Sequence, residues 1–321
     1  YNADSNGGNI SFKVDRSSIR QGNAVIAIKD VSDAILWSWH VWVTDEDINN
    51  VIEITNHQNV KYNFMPVNLG QCDGNTITYE ERSCKVKFIA GDQSKEITIK
   101  QLANVIATGS NAPFYQWGRK DPLYPSNGMG NTTKIWYDKE GIPSTANPMK
   151  GTFSAGNDCI KNCILNPNLM HNRYNGDYTY YNLWSADNKT TSANDNPVNK
   201  TIYDPCPVGF KLPASNAFTG FTTTGESVSS STQVNGTWSS SEKGWYFYTN
   251  SEKTQSIFFP ALGYRSYSTM RPGSIGTQGC FWSAHPVAKG NNYYLRTSSV
   301  DVQPTYMVDR GFGYALRPCQ D

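Results

Sequence analysis

The run Ile35-Leu36-Trp37-Ser38-Trp39-His40-Val41-Trp42-Val43 constrains the fold more than any other stretch of this chain. Its indoles and β-branched side chains suit a pleated, half-buried strand. AVIAIK (24–29) alternates as a strand before it, and Asp30-Val31-Ser32-Asp33 supplies a hairpin connection. ISFKV (10–14) reads as another strand. CKVKFIA and EITIKQ then alternate around Gly91-Asp92, a good hairpin signal. Polar residues flank both, so a hairpin unit at about 72–100 is expected to project from the body.

Residues 103–200 carry few regular signals. Pro113, Pro122, Pro125, Pro143, Pro148, Pro167 and Pro197 interrupt them, and one short helix is expected near 157–163. Functional surfaces often lie on such long loops when a rigid scaffold holds them. Strand signals return at 245–248, 256–259, 279–283, 292–297 and 314–318. No repeat period or heptad pattern appears.

Composition narrows the function. The chain has 321 residues, 38% hydrophobic and 13% aromatic, enough for a sizeable core. A net charge of +1 excludes the usual profile of disorder. The longest basic run is Arg119-Lys120, so nucleic acid is not an expected partner. No apolar stretch is long enough for a transmembrane segment. The abundance of Asn, Gly, Ser, Thr and Tyr points outside the cytoplasm. The chain starts at Tyr1 without a leader and reads as a mature or trimmed fragment. A lipid anchor on a missing N-terminus is compatible with that.

Several blocks carry a resemblance. Asp204-Pro205-Cys206-Pro207-Val208-Gly209-Phe210-Lys211-Leu212-Pro213 resembles the DPCP-x-G-[WF]-[KR]-[LV]-P signature of exported Bacteroidetes proteins. These are the Fibrobacter-type major paralogous domains and their fimbrillin-associated relatives. Other blocks follow the family pattern in order: Trp39–Asp45 (39–45), 64–70 (FMPVNLG), 114–122 (FYQWGRKDP), 258–265 (FFPALGYR), 279–284 (GCFWSA) and 313–319 (GYALRPC). The resemblance implies an α+β fold with a C-type-lectin-like core, long loops, a strand-rich N-terminal part and few short helices. Residues 24–321 would form that domain, with the hairpin inserted at about 72–100. Residues 1–23 would be an N-terminal strand or the end of a preceding domain.

The seven cysteines are too sparse for a disulfide-built fold. Pro205 and Pro207 stiffen the chain around Cys206, and Cys319 closes the last strand. A Cys206–Cys319 bridge is therefore expected. Cys72–Cys84 would close the base of the hairpin, and Cys159–Cys163 would form a local bridge in a non-helical loop. Cys280, beside Phe281 and Trp282, is expected as a buried free thiol.

Candidate chemistry is limited. The four histidines, His40, His57, His171 and His285, are scattered, and no HExxH, GxSxG or Walker pattern occurs. A Cys280–His285 pair is the only imaginable nucleophile and base, and structural roles are the simpler reading. No spaced ligand set is visible, so neither a cofactor nor a tightly held zinc is expected. Asn194-Asp195-Asn196-Pro197 offers calcium-type oxygens, but a solvated Asx turn explains it better. Arg173, Tyr174, Tyr178, Tyr180, Tyr181 and Trp184 cluster among amides and form the best candidate for binding a ligand. Core packing competes with that reading. The expected function is a non-enzymatic cell-surface adhesion or recognition module. Its partners would be a host or microbial surface protein or glycan, or fimbrial (pilus) subunits. The alternatives are a secreted, calcium-independent carbohydrate-binding module and an enzyme of unrecognised type.

Overall fold

Strand Ile35–Val43 forms where the aromatic run requires it and pairs antiparallel with Gly22–Lys29. In their connection Asp33 adopts a left-handed φ of 68°, and the Asp30 carboxylate accepts the Ser32 and Ala34 N–H groups. The structure, a computed structural model, describes residues 2–4, 7–9, 13, 15–72, 76–107, 112–123, 136–137, 143–144, 150–153, 156–172, 180–287 and 290–321. ISFKV (10–14) lies outside them except for Lys13.

Among the described residues 42% are strand and 8% helix, arranged in several antiparallel sheets. The molecule is essentially all-β. This corrects the α+β class, and with it the lectin-like layout, expected from the resemblance. The physical reason lies in the long loops, where prolines interrupt helical hydrogen bonding. Among the described residues the one α-helix is GNDCIKNCIL, Gly156–Leu165, a stretch without proline. It covers the short helix expected near 157–163.

The centre of the body is a layer buried on both sides. Strand Gly279–Pro286 is buried throughout and pairs with Asn291–Thr297, which pairs with Val302–Asp309. Alternation sends Phe281 and Leu295 into one cluster of buried side chains, and Cys280, Trp282, Ala284 and Tyr294 into the other. The same alternation splits Phe64 from Met65, Phe114 from Tyr115, and Ala315 from Tyr314 and Leu316. In the first cluster the ring of Phe259 lies 5.0–6.2 Å from Phe64, Phe218, Phe221, Phe247 and Phe281. Each such ring contributes roughly 1.5–3 kcal/mol by leaving water.

The ordered sequence blocks meet in this body. Buried Arg317, over the Phe259 ring at 4.4 Å, donates to Asn68 Oδ1 and to the Pro66 and Phe258 carbonyls, each at 2.7 Å. The final strand, Cys319–Gln320, pairs with Phe210–Lys211 and with Phe64. The DPCP block is a loop closed around charge. Asp204 accepts from the Cys206 and Leu212 N–H groups, while Lys200 Nζ donates to the Pro207 and Phe210 carbonyls. Gly209 completes the turn at φ 82°.

The expected disulfides are absent: no cysteine pair lies at disulfide distance. Cys206 and Cys319 are both buried, but their side chains belong to different packed clusters and stay unbridged. Cys72 contacts Asn23 and Gly70, whereas Cys84 is exposed and paired with Ile99. Cys159 and Cys163 sit one turn apart on a helix, where a bridge would distort the turn. Cys280 is buried as expected, and burial pushes its thiol up to about 12.

The hairpin at 72–100 is longer than its sequence signal. Arg82–Ala90 pairs with Gln93–Gln101, and Thr76–Tyr79 pairs with Asn104–Ala107 in continuous register. The result is a two-stranded ribbon over residues 76–107, turned at Gly91 with φ 60°. Nearly every described side chain on it is exposed.

Candidate functional site

The ribbon's pairing fixes which side chains share a face. Val86 lies opposite Ile97, Cys84 opposite Ile99 and Phe88 opposite Lys95, so Cys84, Val86, Phe88, Ile97 and Ile99 line one side with Lys95 at its tip. Lys85, Lys87, Glu96, Thr98 and Lys100 alternate on the other. Phe88 is 57% exposed, Ile97 42% and Ile99 53%. This is an amphipathic ribbon whose apolar side faces solvent. Two-stranded hairpins are marginal alone, and their unpaired edges are templates for another strand.

The aromatic cluster divides differently. Arg173, Tyr174 and Tyr178 lie outside the described residues. Tyr180 and Tyr181 are half-buried, and Arg310 anchors them by donating to the Tyr180 carbonyl at 2.6 Å and lying over the Tyr181 ring. Trp184 is a correction. It is fully buried, 5.4 Å from the Trp117 ring, and donates its indole N–H to the Tyr203 carbonyl at 3.0 Å. It is a core residue and offers no ligand face. Tyr203, which the sequence did not single out, joins Tyr180 instead. Together with Ile160, Lys161, Ile164 and Leu165 they line an open depression of about 370 Å³.

His40, His285 and Asp195 are tied into structure. His40 Nε2 lies 2.8 Å from Asn23 Oδ1, an acceptor only, so Nε2 carries the proton and Nδ1 accepts from the Tyr115 hydroxyl at 2.9 Å. Burial holds His40 near 4, and does the same for His285. His285 Nδ1 faces Ser215 Oγ at 3.2 Å, but both residues are fully buried and this Ser–His pair meets no substrate space. Cys280 and His285 sit at opposite ends of one buried strand, so the imagined nucleophile–base pair is not assembled. Asp195 accepts from Asn56 at 2.6 Å, Tyr62 at 2.7 Å and Asn216 at 2.9 Å, and Asn194 Oδ1 accepts the Asn196 N–H. The NDNP segment is thus an Asx turn locked by protein donors. Tyr62 is pushed well above its usual range by burial and by Asp195.

One group of ligating side chains does converge. Cys159, Cys163 and His171 bring their Sγ and ring-nitrogen atoms within 4.8 Å of one another. Cys163 is held well above the ordinary thiol range, first by its hydrogen bond with Cys159 and then by burial. Burial also holds His171 near 4, aided by the Arg119 charge. In the sequence His171 stands apart as one of four scattered histidines. The spacing Cys-x3-Cys-x7-His across a helix and a following strand was the available signal. Compared with known proteins, the chain matches no family model, no curated protein and no solved structure. Among the described residues no helix is long and apolar enough to cross a membrane.

Proposed function

We propose that this chain is a non-enzymatic adhesion or recognition module of an exported, surface-displayed protein. The observation that carries the reading is the 76–107 ribbon. It holds Phe88, Ile97 and Ile99 in solvent, whereas most of the Phe and Trp side chains of the body are buried. Such a ribbon gains stability when a partner strand or apolar surface covers it. A surface protein, host or microbial, or a fimbrial subunit supplies that kind of partner. The ordered likeness to exported Bacteroidetes proteins and the nearly charge-balanced, amide-rich composition support display outside the cytoplasm. The cysteines lend no support, since none is bridged.

Beads coated with the full chain test this on bacterial and epithelial cell layers. The reading expects attachment, and expects V86T/F88T/I97T/I99T to reduce it about tenfold with an unchanged melting temperature. Equal attachment by the variant overturns the ribbon's role, and no attachment by the parent to any surface overturns adhesion. The depression beside Tyr180 and Tyr203 favours a second reading, calcium-independent glycan binding through aromatic stacking. Glycan-array signals that Y180A leaves unchanged, or no signals at all, would remove it.

A further inference from the structure

Cys159 and Cys163 lie one turn apart on the helix Gly156–Leu165, so they share a face. The chain then reverses sharply. Asn166 N–H donates to the Asn162 carbonyl at 2.9 Å, and Leu169 N–H donates to the Asn166 carbonyl at 3.0 Å. Strand Leu169–Asn172 follows and carries His171 back beside the two thiols. Three soft or borderline ligands from one short segment thereby come within 4.8 Å of one another. Around a tetrahedral zinc, with Zn–S about 2.3 Å and Zn–N about 2.0 Å, ligand atoms stand roughly 3.5–3.8 Å apart. The present spacing needs to close by about 1.3 Å at most, which small side-chain rotations supply.

The main chain that presents His171 is fixed in advance. Buried Gln116 donates from Nε2 to the His171 carbonyl at 2.7 Å, and its Oε1 accepts the His171 N–H at 3.0 Å. Buried Arg119 donates to the Leu169 carbonyl at 2.5 Å and to the Pro167 carbonyl. The reversal between helix and strand is therefore clamped by two side chains from another part of the fold. Outer contacts of this kind orient metal ligands. Cys159 and His171 are at most 1% exposed, while half-buried Cys163 leaves a path to solvent. A cavity of about 20 Å³, bounded by Cys159, Cys163, Gly118, Leu183 and Tyr203, adjoins the thiols. It has room for about one water molecule.

The charges also fit a cation bound by thiolates. Two thiolates neutralise a divalent ion, and with a monovalent ion they leave one negative charge beside Arg119. Lys120 is already matched by Asp121 at 2.7 Å. Thiolate and imidazole together select thiophilic ions over calcium or magnesium. We propose that Cys159, Cys163 and His171 bind one thiophilic metal ion, zinc(II) or copper(I), leaving one coordination position for a small ligand. The ion staples the helix to the strand that follows it. This site is independent of whether the ribbon binds a partner.

The test uses the full chain, reduced and stripped of metal. Zinc(II) alone is titrated in one arm and copper(I) alone, without oxygen, in the other, each against a competing chromophoric chelator. One equivalent of either ion is expected to bind, and C159S, C163S and H171Q should each weaken binding at least about tenfold. A measurement on the parent chain guards against variants that fail to fold. Bound metal should protect Cys159 and Cys163 from maleimide, mapped by mass spectrometry, while exposed Cys84 labels at an unchanged rate. Uptake of neither ion, or uptake that the three variants leave intact, overturns the proposal. So does recovery of a Cys159–Cys163 disulfide from protein that takes up no metal after reduction.

Discussion

The body and the ribbon are built from the same alternating pattern and end in opposite environments. Strand Gly279–Pro286 is buried at every position because a layer of side chains covers each face. Strands Arg82–Ala90 and Gln93–Gln101 alternate apolar and polar just as plainly, yet nothing covers their apolar side. Pairing alone therefore does not bury a strand. Burial depends on whether a second layer exists, and in this chain that layer is aromatic. The body buries most of its Phe and Trp residues, and the ribbon presents Phe88, Ile97 and Ile99 outward.

The sharpest way to break this comparison is to truncate one aromatic in each region. Trp282 is fully buried, lies 4.5 Å from the Tyr314 ring and donates to the Tyr115 carbonyl at 2.7 Å. W282A is expected to cost about 3–5 kcal/mol in urea unfolding. F88A on the ribbon is expected to stay within about 0.5 kcal/mol. Similar costs for the two would mean that the ribbon packs against the body after all.

Two glycines give a smaller but cleaner contrast. Gly263 has φ 74°, and a Cβ there would run into the Gly273 carbonyl oxygen. Gly91 has φ 60° with open space around it. G91A should therefore cost only the left-handed strain, about 1–2 kcal/mol, and G263A that strain plus about 1–3 kcal/mol of overpacking. Melting temperatures that fall equally would show that the Gly263 turn relaxes freely.

Acid titration sharpens the picture further. Burial lowers His285 from 6.5 to about 4, so between those pH values the unfolded chain binds a proton that the native state refuses. Stability from this residue is present above pH 6.5 and is lost as the pH falls toward 4, by up to roughly 3 kcal/mol. The ribbon adds little here, because its Lys85–Glu96 pair is exposed and worth at most about 1 kcal/mol. Melting curves of the parent and H285Q across pH 4–7 should converge at the acid end. Parallel curves would show that His285 is protonated in the native state.

The sequence by itself determined several of the strands, though not the one expected at 314–318, where the chain forms Gly313–Tyr314 and Cys319–Gln320 instead. Local alternation and turn chemistry placed Ile35–Val43, the hairpin around Gly91-Asp92, and the strands at 245–248 and 256–259, because these signals act over a few residues. It also located the helix near Cys159, in a stretch without proline. What it did not determine was which faces would be covered. Trp184 and Tyr180 lie four positions apart in one aromatic cluster, yet one fills the core and the other borders an open depression. Cys206 and Cys319 both suit a bridge on paper, but packing places them in different buried clusters, and no bridge joins them. His171 meets Cys159 and Cys163 only because Gln116 and Arg119, from a distant segment, clamp the reversal between them. Pairing and turns are local decisions of the chain. Coverage and convergence depend on residues far apart in sequence, and only the tertiary structure brings those together.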